Sequence, residues 1–310
     1  MEVDFFLTLQ KVLILFLLIV IGFIAGRTNI ISKEGQKDIT ALVLNITMPA
    51  TIFQAMQLKM NAERIQTAVS IVGIMLGAYV LMFLIGLLAS HFLKVTPGQK
   101  DIFRVALLLS NTSFMGYPMI QNLLGEEALF YAVIGAGFIF EIVSWTLGMY
   151  LISRRGQKTM AFNVKNIILS PGILSIVLGL IFFIGQIPVP SLANDVLNVL
   201  SPATSPLAMI VVGLILSRGN IFAPLKNPKL YLGAAIKLLV TPTVMWAILR
   251  LMNVSGPKML IPVMMLAMPT ASYVAMFSDR AQNNPQFASE LVFLTSLLSI
   301  VTIPLVTLLF

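Results

Sequence analysis

The chain has 310 residues, of which 58% are hydrophobic and only 10% charged, with a mean hydropathy of +0.96. That composition excludes an ordinary soluble domain and specifies an all-α polytopic membrane protein. Lys and Arg outnumber Asp and Glu by 20 to 12, a formal net charge of +8. The basic residues lie in short loops between apolar runs, where topology signals lie, so no nucleic-acid partner is expected.

In chain order, ten apolar segments fall at about residues 5–26, 38–58, 65–93, 101–122, 127–153, 164–186, 192–217, 229–252, 258–279 and 286–309. Each is near the roughly 20 residues that cross a hydrocarbon core of about 30 Å. The N-terminus, MEVDFFLTLQKVLILFLLIVIGFIAGR, lacks the basic lead and cleavage site of a secretory signal and reads as the first span. There is no cysteine, which excludes disulfides and thiol chemistry.

Segment 2 carries LNITMPATIF, with Asn45 and Pro49, and segment 7 carries LNVLSPATSPLAM, with Pro202. Segment 4 carries LLLSNTSFMGYPM and segment 9 carries MLAMPTASYVAMF. The basic loop SRRGQKTMAFNVKN separates five segments from five. An odd number per half makes the second half enter from the opposite face, so the expected plan is an inverted repeat. The boundaries are 1–153 for the first repeat, 154–163 for a cytoplasmic linker and 164–310 for the second repeat.

Proline inside a helix removes a backbone hydrogen bond, and in a membrane the freed groups must find protein, water or ligand. Lone prolines such as Pro49, Pro242 and Pro304 read as packing kinks. In segments 4 and 9 the breakers coincide with polar residues in both halves, the best sequence pointer to a transport site. The candidate substrate-binding residues are therefore Asn111, Thr112, Ser113, Gly116 and Pro118 in segment 4, and Pro269, Thr270, Ser272 and Tyr273 in segment 9.

Glu141 in segment 5 and Lys237 in segment 8 are the clear intramembrane ionisable residues. Counted at 1.5 Å per residue from the cytoplasmic ends, they lie roughly 18 Å and 12 Å deep. They could form an ion pair, or Glu141 could carry a proton and Lys237 attract an anion, or Lys237 could snorkel. Asn45, Thr47, Gln54, Gln121 and Asn122 read first as cross-links between helices, with Asn45, Pro49 and Pro202 also candidates for a scaffold-side path. Gly22 with Gly26, and Gly73 with Gly77, have the spacing for close helix approach. His91 reads as interfacial, and the 18 Met residues as packing.

The stretch NTSFMGYP, Asn111 to Pro118, resembles the signature of the auxin efflux carrier family, bacterial malate and malonate permease-like proteins and plant PIN carriers. The resemblance covers the ten segments, the basic central loop and PTASY, Pro269 to Tyr273. It implies a bile-acid-symporter-like (NhaA-like) fold of two five-helix inverted repeats. Segments 1, 2, 6 and 7 would form a scaffold, and segments 3–5 and 8–10 a moving core whose broken helices 4 and 9 cross. It further implies an elevator-type carrier in which Asn111 receives a substrate carboxylate. The plant pattern has Pro directly before that Asn, where this chain has Ser110.

The reading is a secondary transporter of a small organic anion, and not an enzyme. There is no P-loop and no H-E-x-x-H, G-x-S-x-G or paired intramembrane Asp. A sodium-coupled bile-acid-type symporter and a receptor built on a carrier fold are the alternatives. With no acidic cluster suited to a metal cage, proton coupling or uniport is expected over sodium. No cofactor or metal is expected; the expected partners are the anion, the lipid bilayer and a second copy joined through the scaffold.

For topology, Arg27, Lys33, Lys37, Lys94, Lys100, Arg104, Arg154, Arg155, Lys158, Lys165, Arg218, Lys226, Lys229 and Arg280 fall in one set of loops. Lys11, Lys59, Arg64, Arg250 and Lys258 fall in the other, so fourteen face five. The richer set belongs in the cytoplasm, which places both termini outside the inner (cell) membrane. Reporter fusions should therefore read an extracytoplasmic C-terminus and a cytoplasmic 154–165 loop, and a cytoplasmic C-terminus would overturn the ten-span count.

Overall fold

The computed structural model describes residues 5–92, 95–158, 160, 168–219, 222–225 and 227–310. Residues 159 and 161–167, which cover much of the expected linker and the start of segment 6, lie outside the described residues, as do Lys94, Lys165 and Lys226 of the basic set. Among the described residues helix is the only regular structure, and β-type pairing is confined to one isolated antiparallel bridge, Ser110 with Thr270.

Helix α1 spans Phe5–Arg27. Helix α2, Lys33–Leu42, runs through a π-helical turn, Val43–Thr47, into α3, Met48–Ala55. Helix α4 is Ala62–Phe92 and α5 is Pro97–Leu108. After an extended stretch, a π-helical turn Thr112–Gly116 leads into α6, Tyr117–Leu124. There follow α7 (Glu126–Ser153), α8 (Pro171–Gly185), α9 (Ser191–Ser217) and α10 (Pro228–Leu251). Helices α11 (Pro257–Ala267), α12 (Ser272–Ala281) and α13 (Pro285–Thr307) complete the chain.

Every apolar segment of the sequence carries helix. Among the described residues six helices are by themselves long and apolar enough to cross a membrane: α1, α4, α7, α9, α10 and α13; α8 and α11 are shorter apolar helices.

Helix starts follow local chemistry. Thr96, Ser170 and Asn227 each precede a proline and accept a hydrogen bond from a backbone N–H of the first turn, namely of Gln99, Ile173 and Lys229. The side chain satisfies an N–H that the helix cannot, and proline supplies a pre-set φ where no donor is needed. Three other prolines explain three of the five π-helical turns among the described residues. Met48, Tyr117 and Thr241 donate their N–H groups five residues back, to Val43, Thr112 and Ile236, and each immediately precedes a proline. The extra residue per turn moves away the carbonyl that a proline ring would otherwise strike.

Packing begins with α1 against α9, backbone to backbone. A Cβ on Gly22 would lie 2.2 Å from the carbonyl oxygen of Ile210, and one on Gly213 would lie 2.0 Å from that of Ile19. Gly26 faces the side chain of Ser217. Gly73 and Gly77 make no such approach: nothing lies within 4 Å of a Cβ at either, so this spacing serves no helix contact among the described residues. Helix α3 packs on α8 and α9, while α4 packs on α5 and α11, and α13 lies against α10, α11 and α12. Between α3 and α9 the Thr51 hydroxyl lies 2.7 Å from that of Thr204, joining the third residues of the two Pro-Ala-Thr motifs.

At one end of the molecule, buried Asp101 gathers basic residues that the sequence assigns to one set of loops. Arg104 Nη1 donates to it at 3.1 Å, Arg154 Nε at 2.8 Å and Arg155 Nε at 2.9 Å. Asn283 Nδ2 donates to Ile152 O at 2.8 Å and Lys158 N to Ala281 O at 3.1 Å, so the ends of α5, α7 and α12 are tied together there.

The glycine contacts yield a paired test. Gly213→Ala must force two backbones apart and should cost about 1–3 kcal/mol, as overpacking does. Gly73→Ala should be neutral or slightly stabilising, since it meets open space and alanine favours helix. Thermal unfolding of both variants checks this, and equal melting would show that α1 and α9 are not in backbone contact.

Candidate functional site

Helix α5 ends because Leu109 turns to extended backbone, at φ −100° and ψ 99°. Helix α11 ends in the same way at Met268, at φ −64° and ψ 146°. Breaking two apolar helices frees backbone donors and acceptors where water is scarce, and each must be satisfied locally. The two extended stretches satisfy each other. Asn111 N donates to Pro269 O at 2.7 Å, and Ala271 N donates to Leu109 O at 2.9 Å.

Side chains take most of the remainder. The Thr270 hydroxyl donates to Ala106 O at 3.2 Å, while Thr270 N donates to Thr295 Oγ1 at 3.2 Å. Lys237 Nζ donates to Leu107 O at 3.0 Å and to Ser110 Oγ at 2.6 Å. Lys237, only 1% exposed, thus caps the negative end of α5. Among the described residues no carboxylate is within ion-pair distance of it, so neither the Glu141 pair nor snorkelling is realised.

Glu141 lies in α7 between two π-helical turns, Val133–Gly137 and Ser144–Gly148. Its Oε2 accepts from Trp145 Nε1 at 3.2 Å. It faces a cavity of about 80 Å³ shared with Asn111, Ser113, Tyr117, Ser272 and Tyr273, and walled by Ile52, Phe114, Phe140 and Ile176. Tyr273 is held by stacking on Phe140, with ring centroids 5.5 Å apart. Asn111 is buried with both backbone groups used, its carbonyl accepting from Gly116 N at 2.9 Å. No described residue bonds its side-chain amide, which is left for the cavity.

The sequence-derived residues therefore divide. Asn111, Ser113, Ser272, Tyr273 and Glu141 line the cavity. Thr112, Gly116, Pro118, Pro269 and Thr270 build the crossing: Pro269 and Thr270 bond across it, Gly116 admits Met265, and Pro118 sits at the start of α6. Asn45 is exposed and bonds back to Ala41 O at 2.7 Å, away from the cavity. Pro202 is also exposed on α9. Pro49 lines a separate groove of about 800 Å³ between α3, α8 and α9, whose walls are apolar apart from Ser175, itself bonded to Pro171 O. That groove has nothing to orient a polar ligand. Among the described residues no group of three or more His, Cys, Asp or Glu could hold a metal ion.

Sequence reasoning missed Tyr117 and Phe140 on the cavity, Trp145 as the donor to Glu141, and the first turn of α8, where Ser170, Pro171 and Gly172 close the cavity. A Ser-Pro pair ahead of an apolar run is a helix-start signal that could have marked Ser170 and Pro171, although segment 6 is drawn from residue 164. That the start points at Glu141 depends on how α8 packs on α7.

The chain resembles known proteins along nearly its whole length. The family profile described as "Membrane transport protein" matches residues 7–307. An uncharacterized transporter of Methanocaldococcus jannaschii is 26% identical over 306 residues, covering 96% of this chain and 97% of its own. An uncharacterized transporter of Methanothermobacter thermautotrophicus is 24% identical over 299 residues, covering 96% of each chain. The uncharacterized transporter YfdV of Escherichia coli is 22% identical over 212 residues, 64% of this chain and 66% of its own.

Proposed function

Because the chain belongs to the membrane transport protein family, the auxin efflux carrier group, we propose that it is a secondary transporter moving a compact organic carboxylate by alternating access at the helix crossing. The observation that carries this reading is the convergence of the unpaired Asn111 amide, the Ser113 and Ser272 hydroxyls and the start of α12 on one cavity. The first N–H groups of a helix lack internal acceptors and its N-terminal end is positive, so an anion is favoured there. At about 80 Å³ the cavity is small beside the roughly 300–1,000 Å³ pockets of drug-sized ligands, which suits a compact anion.

In this reading the ten segments cross as two five-helix inverted repeats. The Thr51–Thr204 contact and the Ser110–Thr270 bridge support it, since each joins corresponding residues of the two halves. Segments 1, 2, 6 and 7 form the scaffold, anchored by α1 against α9 and α3 against α8. The other six segments form the core that carries the crossing, in an elevator-type movement. Both termini face outward across the cell membrane, and a dimer forms through the scaffold. Asn111 donates its amide to the carboxylate, two hydrogen bonds without a fixed positive charge that would hold the anion too tightly.

Glu141 is the proton carrier. A substrate anion and a second carboxylate repel in one poorly hydrated cavity, so a proton arriving on Glu141 with the substrate removes the conflict. The other titratable groups on the cavity are the phenols of Tyr117 and Tyr273.

Loss of a hydrogen bond to a charged ligand costs about 1.5–3 kcal/mol, or roughly tenfold to over a hundredfold in affinity. Asn111→Ala should therefore melt like the wild type yet bind its carboxylate that much more weakly; binding within twofold of wild type would refute the role. For coupling, uptake into proteoliposomes should depend on pH in the wild type and lose that dependence in Glu141→Gln. Uptake that requires sodium and ignores pH in the wild type would sink proton coupling.

A further inference from the structure

Lys237 presents a buried side-chain amino group bonded to oxygens alone. Its partners are Leu107 O and Ser110 Oγ, at 3.0 and 2.6 Å, and among the described residues no carboxylate approaches within ion-pair distance. A buried charge without a counter-ion is costly unless local dipoles replace its hydration. The end of α5 supplies them: carbonyls freed by the break, and the negative pole of the helix dipole. Carbonyl oxygens at the C-terminal ends of broken membrane half-helices are also where carriers that use sodium hold it.

The cation stands on the far side of the break from the cavity. Successive residues of extended backbone point to opposite faces. Ser110 accordingly meets Lys237 while its neighbour Asn111 lines the cavity, and Lys237 does not line it. The side chain arises from the π-helical turn Ile236–Val240 of α10, whose Thr241 hydroxyl donates to Lys237 O at 2.6 Å. The stem is thereby fixed at its base as well as at its tip.

We propose that Lys237 is a tethered cation that permanently occupies the cation site at the end of α5, so the crossing assembles and works without any dissociable monovalent cation. The ammonium supplies positive charge at the broken helix end, and it binds α10 to α5 so that the two move as one body. This deepens the transporter reading, on which only its consequence for transport rests; the assembly of the site can be tested without any substrate.

The test uses purified wild type and Lys237→Ala, melted in N-methylglucamine chloride and then in sodium, potassium or methylammonium chloride at equal ionic strength. Wild-type melting should be the same in all four salts. Lys237→Ala should melt lower in N-methylglucamine and regain roughly 2–4 °C with methylammonium or sodium, which can reach the vacated oxygens and stabilise by binding the folded state. A Lys237→Ala protein that melts like the wild type and ignores all cations overturns the proposal. The wild-type arm decides even if that variant fails to accumulate: selective stabilisation by sodium overturns the proposal, and indifference to the salts supports it. Carboxylate binding by Asn111→Ala reports separately, so failure of the substrate reading would leave the cation result standing.

Discussion

The structure depends on how two helices can stop in the middle of an apolar layer. Ending α5 and α11 there releases carbonyls and N–H groups, and each one left unpaired would cost several kcal/mol. The solution is mutual. The extended residues after Leu108 and after Ala267 pair antiparallel through Asn111 N to Pro269 O and Ala271 N to Leu109 O. What they leave over is taken by Thr270, Thr295 and Lys237. With the backbone paired in this way, the Asn111 side chain and Ser272 and Tyr273 of the first turn of α12 face the cavity.

The same constraint shapes the helices around the crossing. A proline within a spanning helix would collide with a carbonyl one turn back and remove a hydrogen bond. At Pro49, Pro118 and Pro242 the chain widens by one residue just before the ring. Such turns are frequent at functional sites, because they present side chains at angles a regular helix cannot reach. Asn45, Thr112, Ser113 and Lys237 all lie in turns of this kind, and Glu141 lies between two more that end in Gly137 and Gly148.

The two intramembrane charges are separated by the break. Lys237 is enclosed behind it, with oxygens of α5 around the ammonium. Glu141 lies in front, bonded to Trp145 Nε1 and open to the cavity. A salt bridge between them would neutralise both and leave neither available to a ligand or a proton. Kept apart, Lys237 bonds to the end of α5 while Glu141 faces the cavity. Asp101 shows the opposite arrangement at the molecule's end, where one buried carboxylate draws three guanidiniums together and ties the ends of α5 and α7.

What the sequence by itself determined was everything set by near neighbours in the chain. Composition and the length of the apolar runs specify helices in a membrane, and Asn-Thr-Ser with Gly and Pro marks the break in segment 4. Those features depend on backbone sterics and hydrogen bonds within a few residues. Tertiary structure alone decided which of two identical glycine spacings is a contact: Gly22 and Gly26 meet α9, whereas Gly73 and Gly77 meet nothing among the described residues. It also decided that Lys237 bonds to residues more than a hundred positions away and that Asn45 turns from the cavity while Tyr117 turns into it. Periodicity gives each helix its faces, but the neighbour that each face meets is fixed by packing against distant segments, and no local pattern encodes that.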